Sequence, residues 1–293
     1  MLPEDEVLGA VGFTEMVVRP GDTSVAIGIG DLPIIAPSLL INLMEHAAIL
    51  SLDLYLEPGE TTIPISVEFI SLSPAGIGAS YANLLAKEGF DLILVARDLP
   101  RLNKVAKELS KRFGVKAQCI KADLTKPSQL AKVEKRVADS KKPIDILVNN
   151  AGFGIKDSFT VSNLDKEQEL LDVLVTAPMR LTHAVLPVMV KRNTGIIVNV
   201  SSVASFIAGG TYSAAKSYLT VFSESLHTEL RGTNVKISAL CSGFTRTEFH
   251  ARGRMKMTAL PKFMWLDSDK LVSKSWKYAK ANRVICIPGW QYK

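Results

Sequence analysis

From residue 66 onward, short apolar β-branched runs alternate with amphipathic helical patterns, and this alternation constrains the fold more than any other feature. The runs Val67–Leu72, Leu92–Ala96, Ala117–Ile120, Ile144–Val148, Ile196–Val200, Lys236–Leu240 and Val284–Ile287 read as strands. Helical patterns lie between them, near 77–88, 100–113, 127–139, 166–191, 211–231 and 267–280. Most of the runs are apolar throughout, as expected of strands covered by helices on both faces. A βαβα order of such strands gives an α/β fold with a doubly wound parallel sheet.

Residues 1–65 break that rhythm. Thr14–Arg19 reads as a strand, and Gly21, Gly28 and Gly30 punctuate a loop. Pro37 then opens a helix that runs to about Leu56 and is apolar on nearly every side, so another part of a fold must wrap it. Charge marks the same division. Residues 1–73 carry one basic residue, Arg19, against eleven acidic ones, a net of −10, whereas the remainder carries +16. A swing of this size points to two segments of different origin.

Composition removes several function classes. With 47% hydrophobic and 22% charged residues the chain can bury a large core, which excludes global disorder. Cys119, Cys241 and Cys286 are too few and too scattered for a disulfide framework or a metal site, so a reducing, cytoplasmic setting is expected and no metal. The acidic amino terminus lacks the cationic start of a signal peptide. The apolar stretch Ile34–Leu56 is interrupted by Glu45, His46 and Asp53, and no membrane span is expected. The lysines of the basic part (Lys104, Lys107, Lys111; Lys132, Lys135) fall at helical spacing among apolar residues, as on solvated helix faces, which argues against nucleic acid as a partner.

Chemistry concentrates in Tyr212-Ser-Ala-Ala-Lys216, at the start of a helix and after Asn199-Val-Ser-Ser202 at a strand end. A tyrosine and a lysine four apart share one helix face. The ammonium would favour the phenolate and lower the tyrosine pKa, and Ser202 from the strand end could hold a substrate oxygen beside the phenol.

In this order and on these elements, the motifs of residues 66–293 resemble the short-chain dehydrogenase/reductase family, which implies a Rossmann-type domain. Besides the tyrosine–lysine pair, the resemblance rests on Asn149-Asn-Ala-Gly152 after a strand, Ala75-Gly-Ile-Gly78 at the end of a glycine-rich loop, Ala122-Asp-Leu124, and Cys241-Ser-Gly-Phe-Thr-Arg-Thr247. It implies hydride transfer between a nicotinamide and a carbonyl or alcohol of a mostly apolar small molecule, in a homo-oligomer. Tyr212 would be the general acid, Ser202 would polarise the carbonyl, and Lys216 would hold the ribose. Ser73, Gly76, Ile77 and Gly78 would cradle the pyrophosphate. Asp123 and Leu124 would contact adenine. Asn150, Ala151 and Gly152 would line the site, and Gly243 and Thr245 would cover the nicotinamide. Met257–Trp265 would form an apolar lid. The second strand ends Leu94-Val-Ala-Arg97, without the carboxylate that selects a free ribose hydroxyl, so Arg97 favours NADP over NAD.

Three positions depart from the family pattern. Leu72 replaces the first glycine of the loop and Pro74 removes an amide from it. Leu174 stands where the family carries an asparagine of a proton relay. Ser202 precedes Tyr212 by a short interval, which a tight loop through Gly209-Gly210 could absorb. The amino-terminal segment, from Asp31 through Glu45-His46 to Thr62, resembles the first half of a hot-dog thioesterase of the fluoroacetyl-CoA type. Pro37 occupies the place of its threonine, and Ile70-Ser-Leu72 that of its histidine. The sequence therefore divides into a partial hot-dog-like α+β segment at 1–65 and a Rossmann-type domain at 66–293. An NADP-dependent oxidoreductase leads, with an impaired Rossmann protein acting by binding or oligomerisation as the alternative, and an acyl-CoA thioesterase third.

Overall fold

A computed structural model describes residues 76–247 and 261–292, with a few isolated positions between Thr14 and Leu50. The chain divides into two compact units, Met1–Ser71 and Leu72–Lys293. In the first, Leu39, Leu43, His46, Ala47 and Leu50 are helical, and Thr14 Oγ1 lies 3.2 Å from His46 Nδ1. The strand expected at Val67–Leu72 lies outside the described residues, as do Pro37, Glu45, Leu72, Ser73 and Pro74.

The second unit begins its described part with helix α1 (Ile77–Lys87), followed by strand β1 (Leu92–Ala96), α2 (Leu99–Phe113), β2 (Ala117–Lys121), α3 (Pro127–Val137) and β3 (Ile146–Asn149). A long helix α4 (Leu164–Arg192) leads to β4 (Gly195–Ser202), α5 (Gly210–Glu229), β5 (Val235–Ser242), α6 (Ser268–Lys280) and the short β6 (Ile285–Cys286). All described pairings are parallel: β1 with β2, and β3–β4–β5–β6 in that order.

Local chemistry fixes the ends of these helices. The Asp98 carboxylate accepts from the Arg101 amide, Pro100 follows at the second helical position, and Gly114 closes α2 with φ of 72°. Asn163 caps α4 through the Lys166 amide, and Asp267 caps α6 through the amides of Asp269 and Lys270. Lys191, Arg192, Lys277 and Lys280 fall in last turns, where they face the negative helix end.

The sheet is apolar on both faces because its residues alternate between two cores. Val198, Val200 and Leu240 pack with Tyr81, Leu85, Leu271 and Trp276 on one side. Ile197 and Ile237 pack with Leu130, Val133, Leu181, Val185, Met189 and Leu226 on the other. Each such side chain contributes about 1.5–3 kcal/mol through its removal from water. By length and composition Leu164–Arg192 could cross a bilayer. Leu170, Leu174, Ala177, Leu181, Val185 and Met189 give it a buried stripe instead, and it packs as a core helix.

Expected boundaries hold or shift by at most two residues, and one feature is new. Within α4, Asp172–Thr176 winds as a π-helix, a widened turn that displaces the helix face locally. Leu174 sits in it, fully buried.

Candidate active site

The carboxyl ends of β4 and β5 and the first turns of α5 bring the chemical residues together. Ser202 closes β4 opposite Ser242 of β5. A 3-10 turn (Val203–Phe206) and Gly209-Gly210 then return the chain into α5. Gly210 takes φ of +67°, a conformation that a side chain would strain, and this absorbs the short Ser202–Tyr212 interval.

The Ser202 hydroxyl accepts from the Ala204 amide at 3.1 Å and donates to the Ser242 carbonyl at 3.2 Å. It also hydrogen-bonds the Tyr212 phenol. Lys216 Nζ donates to the Val200 carbonyl at 2.7 Å and lies 5.6 Å from the centre of the Tyr212 ring. Ser202, Tyr212 and Lys216 therefore form one cluster.

The electrostatics differ from the sequence expectation. Burial pushes the Tyr212 phenol up to about 12, against a smaller downward pull from the Ser202 hydrogen bond. Burial also brings Lys216 down to about 8, with a smaller upward pull from Cys241. The lysine was expected to lower the tyrosine. Desolvation wins instead, because the ammonium lies over the ring rather than beside the oxygen, and the surroundings are apolar. Leu170, Leu174 and Ala215 form a buried cluster there, with Phe153, Ile155 and Tyr212 packed against it.

A buried polar chain supports the cluster. Asn149 and Asn199 face each other across β3 and β4, and Asn149 Nδ2 donates to Asn199 Oδ1 at 2.8 Å and to Thr182 Oγ1 at 3.2 Å. Asn199 Nδ2 donates to Ser223 Oγ at 2.9 Å. Ser201 Oγ donates to the Lys216 carbonyl at 2.8 Å and lies 2.8 Å from Thr220 Oγ1. In sequence Asn149 and Asn199 stand within motifs that assign them no role. Their pairing follows from strand register, which neither motif contains.

At the other end of the site, the Gly76 carbonyl accepts from the Ala79 amide at 2.8 Å as α1 begins. Its N-cap, Gly76, brings no side chain to cap this helix, and the first turn holds no acidic residue. The positive helix end is thus available to an anion. A Cβ on Gly78 would lie 2.4 Å from Asn150 Nδ2, so glycine is required for this close approach, and Asn150 sits against the helix start. Ser73 lies outside the described residues. Ala151 and Gly152 are exposed. A Cβ on Gly152 would meet Leu174 at 2.8 Å and Lys216 Nζ at 3.9 Å, which places Gly152 beside the cluster.

Arg97 is exposed at the end of β1. Burial pushes the neighbouring Asp123 carboxyl up, but two hydrogen bonds from Thr125 and the charges of Arg97 and Lys126 outweigh it and hold the group below its usual range. The Leu124 side chain packs into the second core. After β5, Thr245 Oγ1 donates to the Gly243 carbonyl at 2.9 Å, and Thr245 pairs in parallel with Leu266. Of the expected lid, 257–260 lie outside the described residues; Phe244 and Trp265 pack at 6.1 Å between ring centres. A helix start without acidic residues, glycines that admit close approach and an exposed guanidinium are a donor set that fits a nicotinamide dinucleotide.

Comparison with known proteins agrees with this arrangement. A family model described as short chain dehydrogenase matches residues 73–257. The ketoacyl reductase HetN of Nostoc sp. is 33% identical over 187 residues, which cover 63% of this chain and 65% of that protein. Among solved structures, a short-chain dehydrogenase from Sphingobium yanoikuyae in complex with NADPH is 34% identical, with a TM-score of 0.70 over 74% of this chain and 85% of that one. The bulky-bulky ketone specific alcohol dehydrogenase of Comamonas testosteroni is 32% identical, with a TM-score of 0.66 over 73% and 82%. The chain belongs to the short-chain dehydrogenase family and is an oxidoreductase by that membership. The family match begins at residue 73, so the hot-dog resemblance of residues 1–65 gains nothing from it.

Proposed function

We propose that this chain is an NADP-dependent reductase of carbonyl groups on mostly apolar molecules. The observation that carries the reading is the cluster of Ser202, Tyr212 and Lys216 at the ends of β4 and α5. A nicotinamide would supply the hydride when bound. Gly76, Ile77, Gly78 and Asn150 would hold the pyrophosphate end, Arg97, Asp123 and Leu124 the adenosine end, and Gly152, Gly243 and Thr245 the nicotinamide end.

The roles of the chain's own groups follow from their surroundings. A phenol pushed up to about 12 keeps its proton at neutral pH, and so suits a donor to a carbonyl oxygen that gains negative charge. This favours the reductive direction. The Ser202 hydroxyl, already on the phenol, would hold that oxygen in place. Lys216 would bring its charge to the phenol side of the site and donate to a ribose hydroxyl. The apolar wall of Phe153, Ile155, Leu170 and Leu174 supports an apolar substrate. A relative named for bulky ketones points the same way.

Arg97 supports NADP, because a guanidinium pairs with a 2′-phosphate and no carboxylate at Ala96 selects the free hydroxyl. Fluorescence titration with NADPH and NADH tests the reading. The expected result is saturable NADPH binding, tighter than NADH. Arg97→Ser should lose about tenfold or more in NADPH affinity, since a hydrogen bond to a charged group is at stake, and leave NADH unchanged. Equal affinities in the unaltered protein would remove the NADP preference. Absence of binding in folded protein would remove the reductase reading.

A further inference from the structure

The carboxyl-terminal turn reaches back onto the loop after β5. Residues Trp290–Tyr292 form a 3-10 turn, entered through Gly289 at φ of +91°. Tyr292 uses its hydroxyl twice: it accepts from the Phe244 amide at 3.0 Å and donates to the Met264 carbonyl at 2.5 Å. Its ring packs against Gly243, where a Cβ would be 2.2 Å from the ring. The two strands of chain that it joins are themselves paired. The Leu266 amide donates to the Phe244 carbonyl at 2.8 Å, and the Arg246 amide to the Leu266 carbonyl at 3.0 Å. Neighbours of Tyr292 reinforce the attachment, since Gln291 Nε2 donates to the Phe263 carbonyl at 3.0 Å and Trp290 stacks on Phe263 at 6.2 Å.

We propose that Tyr292 is a positioning residue for the nicotinamide end of the site, acting through the backbone of Gly243 and Phe244. The proposal rests on the reductase reading above, which gives Gly243 and Thr245 their place over the nicotinamide. Within the loop 243–245, Thr245 bonds back to Gly243, two residues away, and Phe244 packs on Trp265. A phenol 48 residues from Phe244 in the chain supplies a fixed point, accepting from the Phe244 amide of the loop and donating to the Met264 carbonyl outside it. Without it, the loop keeps its pairing to Leu266 but loses the ring that covers Gly243. Ordering it then falls to the bound nucleotide, and the nucleotide's affinity drops by that amount.

The test compares NADPH with 2′-phospho-ADP-ribose, which keeps the adenosine and pyrophosphate and lacks the nicotinamide. Tyr292→Phe retains the ring on Gly243 and removes both hydroxyl bonds. It should weaken NADPH about tenfold, the equivalent of two ordinary hydrogen bonds, and leave the truncated nucleotide unchanged. Tyr292→Ala should weaken NADPH further, with the same indifference of the fragment. Parallel weakening of both nucleotides would make Tyr292 a merely structural residue and overturn the proposal, as would unchanged NADPH affinity in both variants. Failure of the unaltered, folded protein to bind either nucleotide would overturn the reductase reading itself, and the positioning role with it. Tyr292→Phe changes one oxygen atom, so a misfolded Tyr292→Ala leaves the comparison intact.

Discussion

Around Tyr212 the buried polar side chains reach partners on other elements, beyond such local bonds as Ala204 to Ser202, whereas around Arg97 they are tied to near neighbours in sequence. Asn149 to Asn199 spans 50 positions and Ser201 to the Lys216 carbonyl spans 15, all buried. Asp98 to Arg101 spans three and Asp123 to Thr125 spans two, in exposed or half-buried positions. The difference matches what the proposed function asks of each end. A proton donor must be held to a fraction of an ångström in a dry place, and only cross-element bonds in a packed core provide that. A phosphate pairs with mobile charge at the surface, where Asx turns and a helix cap suffice.

The sharpest break of this comparison is at the proposed proton donor. Tyr212→Phe is expected to lower the rate of carbonyl reduction by about 10²–10⁴-fold, the usual range for loss of a positioned acid, while NADPH affinity stays within about twofold. Single-turnover rates together with nucleotide titration check it. A variant that keeps its rate would take Tyr212 out of the chemistry and leave the cluster a packing feature.

The next test compares the two ends through stability. Asn199→Ala removes the acceptor of Asn149 and the donor to Ser223, and leaves buried polar atoms short of partners. The expected cost is about 1–3 kcal/mol, read from the urea midpoint. At the nucleotide edge, Asp98→Ala removes an exposed helix cap and should cost only about 1 kcal/mol. Equal costs would mean that the two ends are held with equal firmness, and the comparison would fail.

How much of this was legible in the sequence follows from the range of each signal. Tyr212 and Lys216 declare themselves because four residues make one helical turn, and Asn150 to Gly152 because the motif is contiguous. The strands are legible for the same local reason: β-branched runs such as Ile196–Val200 need no distant information. Tyr292 gives no local sign, since its contacts lie 48 residues away at Phe244 and 28 away at Met264. The widened turn at Leu174 is equally silent, because a π-helix inside α4 leaves the apolar periodicity almost intact. The raised tyrosine was missed for a different reason. Spacing supplies the charge of Lys216 but not the burial that overrides it, and burial is a property of the assembled core.

The smallest effect concerns the lysine and its pH dependence. Lys216 titrates at about 8 in the folded chain against an ordinary 10.5, so between those values the unfolded chain binds a proton that the folded chain does not. Stability should therefore rise with pH across that window, by at most about 1.4 kcal/mol per pH unit. Tyr212 works in the opposite sense: its folded value of about 12 against 10 makes the folded chain hold the extra proton, so its contribution is lost as pH climbs above 10. Burial also raises the Cys119 and Cys241 thiols above their ordinary 9.0, so they act in the sense of Tyr212 above that pH, and the clean interval is pH 8 to 9. Denaturation midpoints measured there should climb for the unaltered protein relative to Lys216→Met, which has no proton to exchange. Activity should run the other way over the same interval, falling as the ammonium is lost near pH 8. Parallel midpoints for the two proteins would place Lys216 in a wetter environment than its contacts with Val200 and Tyr212 describe, and the contrast between the dry surroundings of Tyr212 and the wet edge around Arg97 would lose its main electrostatic support.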